Sequence, residues 1–112
     1  MVGRRNVLVD NSIPIESVVE YNFDAYNTCE RIVKEMNLDG NIGIDFIMDD
    51  KGNPLPIEVN PRITATMKLI KEAGVNMPMI QINRILGEDF QKELKVEYGI
   101  RLKRGFSESY GR

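Results

Sequence analysis

The chain has no histidine and a single cysteine, Cys29. Without histidine, a Ser-His-Asp or Cys-His nucleophilic mechanism is excluded, and so is a Cys/His zinc site. One cysteine cannot form a disulfide within the chain. Acid–base or metal chemistry must therefore rest on Asp, Glu, Asn, Lys and Arg. Cys29 falls on the apolar side of a predicted helix, where a small buried hydrophobe is expected rather than a nucleophile. No apolar run reaches membrane-spanning length and the start of the chain has no signal-peptide pattern, so no membrane partner and a cytoplasmic location are expected. Positive charge is not in excess either: 15 Lys and Arg face 17 Asp and Glu, for a net charge of -2 and a pI near 5.2. That balance argues against a nucleic-acid partner. The local basic group Arg101, Lys103 and Arg104 reads as a solvated strand face, and Tyr98 and Phe106 beside it are too few aromatics to suggest otherwise.

What is present suits one domain with a modest core: 112 residues, 42% hydrophobic and 29% charged. Residues 4–10 read as a strand, followed by turn chemistry in Asn11-Ser12-Ile13-Pro14. A helix is expected from Asn22 or Asp24, either of which can cap it. Tyr26, Cys29, Ile32, Val33 and Met36 form its apolar stripe. Two strands are expected at about 41–49 and 55–60. Helices are expected at 66–73, ending at Gly74, and at 78–86, ending at Gly87. Leu94, Val96, Tyr98, Ile100 and Leu102 alternate with polar residues or glycine and predict a last strand with one buried face. Two central strands joined by a short turn must be antiparallel. The order thus predicts an α+β domain, an antiparallel sheet with helices packed mainly on one face. Neither an internal repeat nor a low-complexity segment is present.

The stretch IGIDFIMDDKGNPLPIEVNPR, residues 42–62, sets oxygen-bearing side chains among apolar strand positions. If the loop is the four residues 50–53, Asp45 lies opposite Glu58 and Gly43 opposite Asn60. Opposed residues point to one face with Cβ atoms about 5 Å apart. Asp45, Glu58 and Asn60 then share one face, and Ile44, Phe46, Ile57 and Val59 fill the core on the other. An odd loop without a bulge would separate Asp45 from Glu58. Like charges so close destabilise a sheet unless something compensates. Two carboxylates and an amide oxygen form a hard donor set suited to Mg²⁺ or Mn²⁺ with phosphate oxygens. Arg62 follows two residues after Asn60 and is able to take a phosphate bidentately. Pro61 holds Asn60 extended. The plainer alternative is a solvated sheet face, since alternating charges on antiparallel strands are ordinary. DDKGN lacks EF-hand spacing.

These residues resemble the metal-binding hairpin of ATP-grasp enzymes, in particular the large subunit of carbamoyl-phosphate synthase and related carboxylate ligases. Asp45 matches the acidic or amide residue of the first strand, and Glu58-Val59-Asn60-Pro61-Arg62 matches E-x-N-x-R on the second. The resemblance extends over roughly residues 20–87. It implies that Asp45, Glu58 and Asn60 hold the Mg²⁺ bridging the ATP phosphates. Asn60 and Arg62 would then contact the nucleotide, and Arg62 would act catalytically on a phosphate or an acyl phosphate. The helix start after Ile63-Thr64-Ala65-Thr66 offers backbone donors for an anion, against capping alone as the simpler role of those threonines.

A full ATP-grasp unit is longer than this chain. No glycine-rich phosphate loop and no adenine-receiving hinge are legible. The expectation is a single domain over 1–112, the C-terminal part of an ATP-grasp fold, either excised or one chain of a split protein and inactive alone. Its expected partners are ATP, the remaining ATP-grasp subdomain or subunit, and a second copy of itself. The competing expectation is a non-catalytic interaction module with a degenerate metal site, whose uncovered apolar faces mark a partner surface.

Overall fold

The computed structural model describes residues 1–10, 13–88 and 94–112. Its elements are strands β1 (Arg4–Asp10) and β2 (Ile13–Val19), helix α1 (Phe23–Glu35), strands β3 (Gly43–Met48) and β4 (Pro54–Asn60), helices α2 (Met67–Glu72) and α3 (Met77–Ile85), and strand β5 (Arg101–Lys103). The expected α+β class holds, and every strand pair is antiparallel. The single sheet does not. One sheet has the order β1-β2-β5, and the β3–β4 hairpin forms a second.

Strand β2 lies at the centre of the first sheet although the sequence shows no strand there. Pro14 and the polar pair Glu16-Ser17 interrupt its apolar pattern. Proline removes a ladder donor and is tolerated at irregular positions. Here it pairs with Val9, beside register shifts in β1 between Asn6 and Val9. Asn11 and Ser12, read as turn residues, lie outside the described residues.

The alternating segment 94–102 behaves differently from the predicted strand. Only Arg101–Lys103 joins the ladder, pairing with β2. Upstream, the Glu97 amide donates to the Ala73 carbonyl at the end of α2 (2.9 Å), and Gly99 turns the chain at φ 87°. Period-2 burial extends beyond the strand: Val96 and Ile100 outside β5 pack against the core as Leu102 within it does, while Tyr98 is exposed. That core is small and centres on Val19 from β2 with Leu69 of α2 and Ala73 at its C-cap.

Helix α1 starts where expected. The Asn22 side-chain oxygen accepts from the Ala25 amide at 2.9 Å, and this satisfies one of the unpaired donors of the first turn. Its apolar stripe is half-buried through Tyr26, Cys29, Ile32 and Val33, but Met36 at the C-cap is 57% exposed and leaves the core. Burial pushes the Cys29 thiol up, which favours the protonated, unreactive form. The Tyr26 hydroxyl accepts from the Gly3 amide at 2.8 Å and so ties α1 to the start of β1. Gly74 and Gly87 close α2 and α3 at φ 105° and 70°, conformations that favour glycine. Among the described residues no helix is long and apolar enough to cross a membrane.

Candidate functional site

The hairpin brings the predicted oxygen donors together by an unexpected route. Its loop is Asp49–Asn53, closed by the Asp49 amide donating to the Asn53 carbonyl at 3.0 Å. Asp49 is the hub of this turn. Its carboxylate accepts from the amides of Lys51 (2.9 Å) and Asn53 (2.8 Å) and from the Asn53 side chain (2.9 Å). These bonds, the Asn53 side chain first, hold its pKa below the usual carboxylate range. The outer pairs are therefore Met48 with Pro54, Ile47 with Leu55 and Phe46 with Pro56. That is one residue off the expected register, and continued unbroken it would place Asp45 opposite Ile57.

A register shift between Asp45 and Phe46 restores the pairing. Ile57 is the extra residue of the bulge, and beyond it Asp45 pairs with Glu58, Ile44 with Val59 and Gly43 with Asn60. Asp45, Glu58 and Asn60 thus share one face. The bulge also corrects the core expectation. Ile57 is 61% exposed, while Ile44, Phe46 and Val59 remain half-buried.

The loop after β4 covers part of this face. A Cβ added at Gly43 would lie 2.6 Å from the Thr64 Cγ2 and 3.9 Å from the Asn60 Cβ. Thr64 therefore packs over Gly43, on the side from which Asp45 and Asn60 project. The Arg62 amide donates to the Asn60 carbonyl across Pro61 at 2.8 Å, a tight three-residue turn. The exposed Arg62 side chain donates from Nη1 to the Ile63 carbonyl at 3.3 Å. Arg62 thus lies just past the oxygen donors and makes no ion pair with Asp45 or Glu58 among the described residues. Thr66, the N-cap of α2, is 1% exposed, and its hydroxyl has no hydrogen-bond partner among the described residues.

Two further arginines come near this region, Arg4 beside Asp45 and Arg104, read from the sequence as part of a solvated strand face, at the loop carrying Ala65. Arg4 and Arg104 are half-buried, and the pKa of Arg4 is lowered by burial, raised by the Asp45 carboxylate and lowered by Arg104. Arg104 donates from Nη2 to the Ala65 carbonyl at 3.2 Å, in the loop that carries Thr64. For Arg104 the basic group Arg101, Lys103 and Arg104 was the available signal. Arg101 and Lys103 are exposed, whereas Arg104 is drawn inward.

The donor chemistry of the hairpin fits a hard divalent cation completed by phosphate oxygens or water. It is not a closed cage: among the described residues no three His, Cys, Asp or Glu side chains converge.

A comparison with the curated proteins finds no match. Residues 1–106 match the family model described as ATP-grasp in the biosynthetic pathway with Ter operon. The match takes in both sheets and all three helices, and the chain belongs to this ATP-grasp family.

Proposed function

We propose that this chain forms the Mg-ATP-binding wall of an ATP-dependent carboxylate ligase that works through an acyl phosphate, as its resemblance to the carbamoyl-phosphate synthase large subunit suggests. One observation carries the reading: the pairing of Asp45 with Glu58 and of Gly43 with Asn60, which sets three hard oxygen donors on one face. Asp45, Glu58 and Asn60 would hold Mg²⁺ or Mn²⁺. The bound metal would neutralise phosphate charge, the main demand of phosphoryl transfer. The chain's own groups do the positioning. Pro61 and the turn that follows hold the backbone that presents Asn60. Arg62 donates to a phosphate or acyl-phosphate oxygen as a planar fork. Thr64 packs over Gly43 at one side of the face. The phosphate-covering loop and the acceptor site come from further ATP-grasp elements, and the chain alone is inactive.

The test is an amide spectrum of the chain titrated with Mg-ATP, followed by Mn²⁺. Shifts and paramagnetic broadening confined to Asp45 and 58–62 are expected. A silent hairpin at millimolar nucleotide would remove binding by this chain.

A second reading, a non-catalytic interaction module, draws on exposed apolar residues: Ile47, Met48, Leu55 and Ile57 on the hairpin, and Met79, Ile82, Ile85 and Leu86 on α3. Sedimentation separates the two. Concentration-dependent association without metal-dependent nucleotide binding would favour the module.

A further inference from the structure

Beside its half-buried stripe, helix α1 presents a second flank. Thr28, Arg31, Ile32, Glu35 and Met36 follow one another at intervals of three and four residues and so share one side of the helix. With Pro56 of β4 they line an open, mainly apolar groove. Pro56 pairs with Phe46, the neighbour of Asp45, and successive strand residues alternate between faces. The groove therefore lies on the side of the hairpin away from the oxygen donors.

Its volume is 290 Å³, at the foot of the range of about 300–1,000 Å³ for small-molecule pockets, and it is not enclosed. That suits a side chain from a neighbouring protein better than a sequestered ligand. Met36 is such a side chain. At the C-cap of α1 it is 57% exposed, and an unbranched thioether adapts to irregular gaps.

The charges on the same flank point to what the neighbour is. Arg31 and Glu35 are both exposed and stand about one helical turn apart along the groove. Among the described residues neither makes an ion pair, whereas Arg5 is paired with Glu20 and Arg84 with Asp39. Their order does not favour a pair within the helix, because an acidic residue four before a basic one is the better arrangement. Opposite charges spaced in this way are self-complementary. A two-fold axis that sets α1 antiparallel to α1 of a second copy brings Arg31 of each copy opposite Glu35 of the other. The same axis carries Met36 of each copy towards the groove of its mate. The exposed stripe of α3 has no such pattern, since its arginine, Arg84, is already paired within the chain.

We propose that the α1 flank and Pro56 form an isologous interface between two copies of this chain, in which Met36 of each copy fills the groove of the other and two reciprocal Arg31–Glu35 pairs border the contact. Six lining residues per copy fall well short of the roughly 20–30 of a standard interface, so the association is weak and reversible. The inference goes beyond the nucleotide reading and does not depend on it, because the oxygen face of the hairpin stays uncovered.

Sedimentation velocity of the full chain from micromolar to millimolar concentration tests the proposal, and a shift from monomer to dimer is expected. Arg31→Glu and Glu35→Arg are each expected to weaken association about tenfold, since each turns two attractive contacts into two repulsive ones. Their equimolar mixture is expected to recover the parent's association, because one variant is acidic and the other basic at both positions. Met36→Ala is expected to weaken association about tenfold, the loss counting once per copy. Ile82→Glu, on the exposed stripe of α3, is expected to associate as the parent does. Should a charge variant fail to fold, Met36→Ala and Ile82→Glu still decide between the two helices. A monomer throughout the series overturns the proposal. So does loss of association in Ile82→Glu with the α1 variants unaffected, which would place the contact on α3. Weakening by both charge variants with no recovery in the mixture overturns it too, because the charges would then act within one chain. Metal-dependent shifts at Asp45 and Glu58 in a strictly monomeric chain would sink this inference and leave the nucleotide reading standing. An α1-dependent dimer with a metal-silent hairpin would do the reverse.

Discussion

Asp45 stands directly opposite Glu58 only because Ile57, its neighbour in β4, is bulged out of the ladder. A five-residue loop, Asp49–Asn53, carries the outer half of the hairpin out of register with the site, and one extra residue returns it. The bulge makes a distinction that a regular ladder would not. Ile57→Ala is expected to change stability by no more than about 0.5 kcal/mol, the ordinary range for an exposed side chain. Phe46→Ala, on the half-buried side, is expected to cost about 2 kcal/mol or more. Urea denaturation of the two variants checks this, and equal costs would contradict the bulge.

The opposed carboxylates set metal affinity against stability. Glu58→Gln removes like-charge repulsion and is expected to stabilise the metal-free chain by a few tenths, up to about 1 kcal/mol. The same change removes one charged donor and is expected to lower Mn²⁺ affinity about tenfold or more. Asp45→Asn should act in the same two directions. Melting without metal and Mn²⁺ relaxation titration read the two effects separately. A variant that lost stability without metal would show that the carboxylates are compensated by other groups of the chain.

Gly43 carries a packing demand that its neighbours make specific. Gly43→Ala would drive its Cβ to 2.6 Å from the Thr64 methyl, and such overpacking typically costs about 1–3 kcal/mol. Thr64→Ser removes that methyl and keeps the hydroxyl. The double variant is expected to recover much of the loss, a coupling that a double-mutant cycle in urea measures. Additive costs would mean that the two residues do not meet over the site.

Local chemistry made much of this fold legible. Asn22 as a cap, the glycines after α2 and α3, and the strands flanking DDKGN all follow from residue types whose conformational preferences are strong. The pairing of Asp45 with Glu58 was also legible, although the loop length assumed for it was wrong and the bulge offset the error. Strand β2 was hidden because a central strand containing Pro14, Glu16 and Ser17 is defined by its neighbours and not by its own pattern. The segment 94–98 shows the converse. Its alternation reports one-sided burial against α2, which needs no ladder. Arg4 and Arg104 are separated by almost the whole chain, and nothing short of the sheet register could have joined them.

Tyr26 gives the fold a dependence on high pH. Burial, the first cause, pushes its phenol from an ordinary 10.0 up to about 12, with the Gly3 amide acting in the opposite sense. The folded state therefore favours the neutral phenol more than the unfolded chain does. The stability this contributes is fully present below pH 10.0 and is lost as pH rises towards about 12. Tyr26→Phe is expected to be less stable than the parent at neutral pH, because the Gly3 amide loses its acceptor. Its denaturation midpoint should then fall less steeply over the same alkaline window, so the two curves converge. The difference between the curves isolates Tyr26 from the other tyrosines and the lysines, which titrate in both chains. Parallel curves would mean that the phenol is as free to ionise in the folded chain as in the unfolded one, and that the tie between α1 and β1 is not held by its hydroxyl.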